Sequence, residues 1–313
     1  MTLKSHLESC DGNSTIAKSV IDNYIRCITI ILKFNIKPIP TEKGLDTFYR
    51  EYGDPKNKHV LIIHGLGASS LAWRDIPDAL SKYFHTITVD LIGFGLSNKP
   101  ETADYTIKGF RKFIVDFLRE RIGLEEREHK KISIVGHSLG GYIAAEVAIG
   151  NKEMIEKLVL IDSSGMLEGP TPLLQQYLNA AMESDPILRY KKVQRVLEDL
   201  YADRSRLLPV AVDIFIGTIG QQGAKHAFEL AFNNSTTTQI EPEGFKQIED
   251  IPCLIIWGEK DNLIPIKYYD MFRQKLPKAK YEMIADAGHA PFVEKTALLH
   301  EKLLTFLMQE DQP

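Results

Sequence analysis

The stretch Ile132-Ser133-Ile134-Val135-Gly136-His137-Ser138-Leu139-Gly140-Gly141 decides the fold. A short apolar run rich in β-branched residues enters it, and a helix-like segment leaves it. Between the two, small residues flank a serine. The order is therefore strand, sharp turn, helix, with Ser138 at the apex and its hydroxyl held out of the fold. Gly136 and Gly140 have a steric role, because in so tight a turn a Cβ at either place would collide with the neighbouring backbone. The pentapeptide alone arises by chance in about one chain in ten of this length. Its meaning depends on what the rest of the chain supplies.

Composition narrows the classes. The chain has 313 residues, 44% hydrophobic and 26% charged, enough for a large core in one domain with an insertion, or in two domains. A net charge of -4 with scattered Lys and Arg argues against nucleic acid or a strongly anionic partner. Cys10, Cys27 and Cys253 are odd in number and far apart, which suggests neither a disulfide framework nor a C-x-x-C metal site. The sequence has no signal-peptide pattern and no run of about 18 apolar residues. The expectation is a soluble cytoplasmic protein. From Ile16 to Phe34 apolar residues recur at helical spacing, with three positive charges against one negative. This predicts a helix at 16–34 packed on the body or on a second subunit, with a peripheral membrane contact as the weaker reading.

Outward from the elbow the chain alternates. Residues 41–54 read as a pair of strands. Val60–Ile63, Phe84–Asp90, Leu158–Asp162, Cys253–Trp257 and Tyr281–Ile284 read as further strands, most of them continuously apolar, as in a parallel sheet buried on both faces. Helical patterns run from Ser70 to Leu80, Tyr105 to Ile122, Leu139 to Ile149, Tyr268 to Leu276 and Ala297 to Leu307. Residues 165–245 break this rhythm with helical patterns alone, around Leu173–Met182, Val193–Tyr201, Val210–Ile219 and Ala224–Phe232. The prediction is a doubly wound, mostly parallel α/β sheet with a helical cap after the sixth strand. Its parts are an N-terminal helical extension (1–38), a core (39–164 and 246–313) and the cap or lid (165–245).

A serine hydroxyl is a poor nucleophile unless a base takes its proton, and the base needs an acid to hold its tautomer. Downstream of Ser138, Asp261 lies in Trp257-Gly258-Glu259-Lys260-Asp261-Asn262-Leu263-Ile264-Pro265, just past a buried strand. His289 follows in Ala287-Gly288-His289-Ala290-Pro291-Phe292, after the last strand. Order, strand-end position and glycine-flanked loops agree on Ser138, Asp261 and His289. Asp162 is the competing acid, and Glu259 is a neighbour of Asp261. A tetrahedral intermediate also needs hydrogen-bond donors. The N–H of Leu139 sits at a helix start, where free N–H groups point outward. Leu66, between Gly65 and Gly67 and after the Ile63 strand, is the second candidate. His64 reads as a loop-shaping residue, and His137 as packing against the sheet.

His64-Gly65-Leu66-Gly67, the Asp90–Ser97 loop, Gly136–Gly141, Trp257–Pro265 and Gly288–Phe292 together resemble the sequence blocks of the α/β-hydrolase superfamily, in its helical-cap branch. The resemblance covers the chain from about residue 40. It implies the α/β-hydrolase fold, Ser138, Asp261 and His289 as catalytic residues, and Leu66 and Leu139 as oxyanion donors. Epoxide hydrolases and haloalkane dehalogenases of that fold use Asp as nucleophile, unlike Ser138. Meta-cleavage-product C–C hydrolases typically carry Trp after the histidine, where this chain has Ala290. Prolyl iminopeptidases usually show Gly-Gly-Ser-Trp-Gly at the elbow. What remains resembles carboxylesterases and lipase-like hydrolases. The reading is a serine hydrolase of small carboxylic esters that uses no metal or organic cofactor. Met182, Phe215, Phe228 and Phe232 of the cap are candidates to line an acyl pocket. The alternatives are a C–C hydrolase of meta-cleavage products and a receptor-like, ligand-binding member of the fold.

Overall fold

The computed structural model describes residues 47–309. The extension at 1–38, its helix at 16–34 and the start of the strand pair expected at 41–54 lie outside those residues. One sheet of seven strands organises the rest. The strands are β1 (Tyr49–Tyr52), β2 (His59–Ile63), β3 (His85–Val89), β4 (Ile132–His137), β5 (Ile155–Ile161), β6 (Cys253–Gly258) and β7 (Lys280–Ile284). Their spatial order is β1-β3-β2-β4-β5-β6-β7. Only β1 runs antiparallel, against β3; every other neighbouring pair is parallel. Every residue of β2, β3, β4 and β6 is buried, while the edge strands β1 and β7 are largely half-exposed. This is why the inner strands read as unbroken apolar runs: both of their faces are covered.

Successive strand residues face opposite layers. Leu61, Ile63, Ile132 and Ile134 join the core beneath α2 (Ile107–Asp116) and α3 (Leu139–Gly150). Val60, Ile62 and Val135 join the opposite core with Ile76 and Leu80 of α1 (Ile76–Leu80) and Leu299 and Leu303 of the last helix, Thr296–Met308. The segment read as one helix from Ser70 to Leu80 is a 3-10 turn (Ser70–Trp73) followed by α1, with Arg74 at φ 50 breaking it. The pattern at 105–122 is α2 followed by a π-helical turn, Phe117–Arg121.

Between β5 and β6 every regular element is helical: α4 (Pro172–Met182), α5 (Pro186–Asp199), α6 (Pro209–Ile219), α7 (Ala224–Thr237) and α8 (Pro242–Ile248), with a 3-10 turn at Arg204–Arg206. The insertion follows β5, the fifth described strand. Helix α5 starts well before Val193, where its periodicity was expected to begin. Asp185 caps it, accepting from the Leu188 N–H at 2.7 Å, and Pro186 occupies its first turn. Ile187 and Leu188 are exposed, so the apolar pattern of burial starts only later. After β6 come α9 (Lys267–Lys275), α10 (Pro291–Glu294) and α11 (Thr296–Met308).

The order β1-β3-β2-β4 means that the chain leaves β2 in one direction for β3 and returns on the other side as β4. At such a reversal the loops after neighbouring strands diverge and leave a crevice at their carboxyl ends. His64 follows β2 and Ser138 follows β4, at the two sides of this crevice. The β4–α3 turn is closed by backbone contact. A Cβ on Gly136 would overlap the Gly140 carbonyl oxygen, and one on Gly140 would stand 2.5 Å from the carbonyl oxygens of Ile63 and His64. Gly136→Ala should therefore cost roughly 3 kcal/mol or more, as overpacking against backbone that cannot yield does. An unchanged melting temperature would show that this approach has slack.

Candidate active site

Ser138 sits at φ 55 and ψ -120, between the last residue of β4 and the first of α3. Few L-residues hold a positive φ, and they do so where surrounding bonds over-determine it. Here the Ser138 N–H donates to the Ile161 carbonyl of β5 at 3.0 Å. Its own carbonyl accepts from the N–H groups of Gly141 at 3.0 Å and Ser164 at 3.1 Å. The Ser138 backbone is thus tied to β5 and to the first turn of α3, and Ser138 lines the cavity. Leu139 begins α3 and is buried. Leu66 lies in the loop after β2 and lines the cavity, and the neighbouring Gly65 comes so near that an added Cβ would meet the Ser138 Cβ at 3.0 Å.

Asp261 and His289 meet as the sequence leads one to expect. His289 Nδ1 lies 2.7 Å from Asp261 Oδ2, with both side chains essentially sealed from solvent. The other oxygen, Oδ1, accepts from the N–H groups of Leu263 at 2.8 Å and Ile264 at 2.9 Å. The Asp261 carboxylate thus makes three hydrogen bonds, one to the imidazole and two to its own loop backbone. Glu259 is turned elsewhere: its Oε2 accepts from the Asp286 N–H at 3.1 Å.

The histidine loop is held from three sides. The His289 N–H donates to the Leu200 carbonyl of the insertion at 2.7 Å. Glu294, itself buried, accepts from Gly288 N–H at 2.6 Å and from Asp203 N–H at 3.1 Å, joining the loop to the insertion a second time. His137 Nε2–H donates to the His289 carbonyl at 2.7 Å, and its ring packs against Trp73 and Phe292. Burial first, and then the adjacent His289, push His137 well below the ordinary imidazole range, so it is a neutral donor. His137 does more than pack against the sheet; it ties down the His289 loop. His64 shapes its own loop as expected. Its Nδ1–H donates to the Gly65 carbonyl at 2.8 Å and its Nε2 accepts from Leu91 N–H at 3.0 Å; burial lowers its pKa.

A cavity of about 260 Å³ opens between the sheet and the insertion, with Ser138 and His289 in its wall. For scale, an apolar cavity of about 150 Å³ accommodates benzene. Its lining is mostly apolar, and it includes Trp73, Leu174, Tyr177, Ile214, Phe215 and Phe292. Of the four cap residues expected there, Phe215 belongs to the lining, and Met182, Phe228 and Phe232 do not. Phe228 and Phe232 are completely buried in the helical layer, where Phe228 packs edge-on to Tyr177, and Met182 is half-buried against the same cluster. Helical periodicity shows which residues face inward, but not whether inward means the cavity or the layer's own core. Apart from histidines, the charged residues of the lining are Arg74 and Arg206, both exposed. These arginines and Glu294 carry no local sequence signal; tertiary contact alone brings them in.

One group of three potential metal ligands occurs among the described residues: Asp162, Asp261 and His289, within 4.8 Å of one another. Asp261 and His289 bind each other, and Asp162 Oδ1 accepts from the Gly258 N–H at 2.7 Å. No helix among the described residues is long and apolar enough to cross a membrane.

Known proteins resemble this chain at low identity. Lipase 3 of Moraxella sp. (strain TA144) is 28% identical over 265 residues, covering 83% of this chain and 80% of its own length. The 2-hydroxy-6-oxo-6-(2'-aminophenyl)hexa-2,4-dienoic acid hydrolase of Metapseudomonas resinovorans is 23% identical, covering 84% of this chain and 88% of its own. Among solved structures, the 2-hydroxy-6-oxo-6-phenylhexa-2,4-dienoate hydrolase of Rhodococcus sp. strain RHA1 superposes with a TM-score of 0.75 at 23% identity, covering 88% of this chain and 98% of its own. The family model described as the alpha/beta hydrolase fold matches residues 58–296, and with the sheet order and the elbow on β4 it assigns the chain to that family.

Proposed function

We propose that this protein hydrolyses carboxylic esters through an acyl-enzyme on Ser138, with His289 as base and Asp261 as the acid that orients it. The observation that carries the reading is the buried 2.7 Å His289–Asp261 pair in the wall of the cavity that also receives Ser138. In this reading His289 Nε2 takes the Ser138 proton as Oγ attacks the ester carbonyl. The oxyanion forms against the N–H groups of Leu139 and Leu66. His289 then returns the proton to the departing alcohol, and water repeats the sequence to release the acid. Each oxyanion donor is worth about 2.7–4 kcal/mol to the transition state. All the chemistry is supplied by side chains and backbone.

The helices between β5 and β6 act as a cap in the same reading. The acid portion of the ester lies in the apolar cavity against Phe215, Tyr177 and Trp73, and the alcohol leaves toward the mouth. The partly exposed Leu208 and Val210 mark that mouth. A compact acyl group suits about 260 Å³ better than a fully extended long chain.

A second reading has one observation in its favour. Arg74 and Arg206 are guanidinium groups in a lining without carboxylates, which suits a substrate bearing an anion, as the acid cleaved by a C–C hydrolase does. Ala290, in place of the tryptophan typical of those enzymes, weighs against it.

Three experiments decide. Ser138→Ala should remove turnover of short p-nitrophenyl esters, by about 10⁴-fold or more, while leaving the melting curve intact; residual activity at the native level would sink the assignment. The rate of the wild type should fall on the acid side, because a histidine acts as a base only while it is neutral. A profile flat from about pH 5 to 9 would rule such a base out. Finally, esters and a vinylogous 1,5-diketone acid should be compared in the wild type and in Arg74→Ala/Arg206→Ala. Ester turnover insensitive to the double change, with no cleavage of the diketone acid, is expected. Efficient diketone cleavage lost in the double variant would favour the second reading. Fluorophosphonate labelling without turnover of either would indicate a receptor.

A further inference from the structure

Beside the acid and base of the proposed mechanism lies a third carboxyl that the mechanism leaves unused. Asp162 directly follows β5, is fully buried and holds φ 44. Its Oδ1 accepts from the Gly258 N–H at 2.7 Å, and its Oδ2, equally sealed, has no donor among the described residues. Asp261, by contrast, takes two backbone N–H groups on Oδ1 and His289 Nδ1 on Oδ2. One ligand atom from each of Asp162, Asp261 and His289 lies within 4.8 Å of the others. Glu294 adds a further carboxylate nearby, with its own oxygens bound to Gly288 and Asp203 N–H groups. No lysine or arginine among the described residues forms an ion pair with Asp162 or Asp261.

Two carboxyls this close in a dry site cannot both ionise at ordinary cost. The donors decide which one keeps the charge: Asp261 has three, and Asp162 has one. The oxygen of Asp162 that lacks a donor is the one a proton would convert from an orphaned acceptor into a donor. Burial first, then the Asp261 charge, push Asp162 well above the usual carboxylate range, against the pull of the Gly258 N–H.

We propose that Asp162 is a positioning residue that stays a neutral carboxylic acid and donates its proton in a hydrogen bond to Asp261, so that the group carries one negative charge with which to hold His289. This rests on Asp261 and His289 being acid and base. The hydrogen bond from Asp162 tempers the basicity of the Asp261 carboxylate, so the imidazole is held without being locked in its charged form. No proton is transferred in the step; the Asp162 O–H bond persists throughout turnover.

Two substitutions separate this from its opposite. Asp162→Asn keeps the shape, keeps an acceptor for Gly258, tolerates the positive φ and presents an N–H toward Asp261. Its acid limb of kcat/KM should coincide with that of the wild type. Asp162→Ala removes the donor, and its acid limb should move to higher pH by about half a unit, with kcat lowered about tenfold. If Asp162 were instead ionised, both substitutions would delete an anion beside His289 and move the limb to lower pH; that result overturns the proposal, as does a limb unmoved in Asp162→Ala. Should the alanine variant fail to fold, infrared spectroscopy gives the answer without activity. At about pH 8, far above ordinary carboxyl values near 4, the wild type should show the carbonyl stretch of a protonated carboxylic acid, and Asp162→Asn should lack it. Absence of that band in the wild type overturns the proposal. Ser138→Ala should retain the band, so failure of the ester-hydrolase reading and failure of this proposal give different results.

Discussion

The structure depends on a backbone approach. Where β4 gives way to α3, the chain turns so tightly that Gly136 faces the Gly140 carbonyl, and Gly140 faces the carbonyls of Ile63 and His64 with no room for a side chain. The strand order puts the crevice at this turn, because β2 and β4 are neighbours whose following loops diverge. Ser138 is left in a conformation that a free residue would abandon. Its bonds to Ile161, Gly141 and Ser164 hold it there. In the proposed mechanism, a nucleophile fixed through its backbone loses little freedom on approaching a substrate.

The same logic runs through the loops that meet Ser138. Gly258 packs against the Gly288 carbonyl, so the acid loop and the base loop are in backbone contact before their side chains meet. From the insertion, the Leu200 carbonyl accepts from the His289 N–H and the Asp203 N–H donates to the Glu294 carboxylate, which in turn accepts from the Gly288 N–H. The insertion therefore both bounds the cavity and holds the His289 loop.

Much of this was legible in the chain. Continuous apolar runs at Val60–Ile63 and Cys253–Trp257 marked inner strands because burial on both faces leaves no polar alternation. Ser138, Asp261 and His289 could be picked out because each follows a strand and sits in a glycine-bearing turn, a local property. The periodicity at Val193–Tyr201 marks only the later part of α5, since its first turn carries exposed Ile187 and Leu188 and periodicity reports burial, not helix; the Asp185-Pro186 cap is the better signal of its start. Met182, Phe228 and Phe232 were expected at the cavity, but the first lies half-buried against the helical layer and the other two lie inside it.

Local chemistry, then, determined the elements, the elbow and the identities of the candidate nucleophile, acid and base, because turns and strand ends leave their requirements in neighbouring residues. Tertiary structure alone decided the rest. It set Asp162 beside Asp261, joined His137 to the His289 carbonyl, brought Glu294 under Gly288, and aimed Arg74 and Arg206 at one cavity. Those relations join residues from different strands, loops and helices. Their spacing along the chain carries no imprint of a distance that exists only once the sheet has assembled.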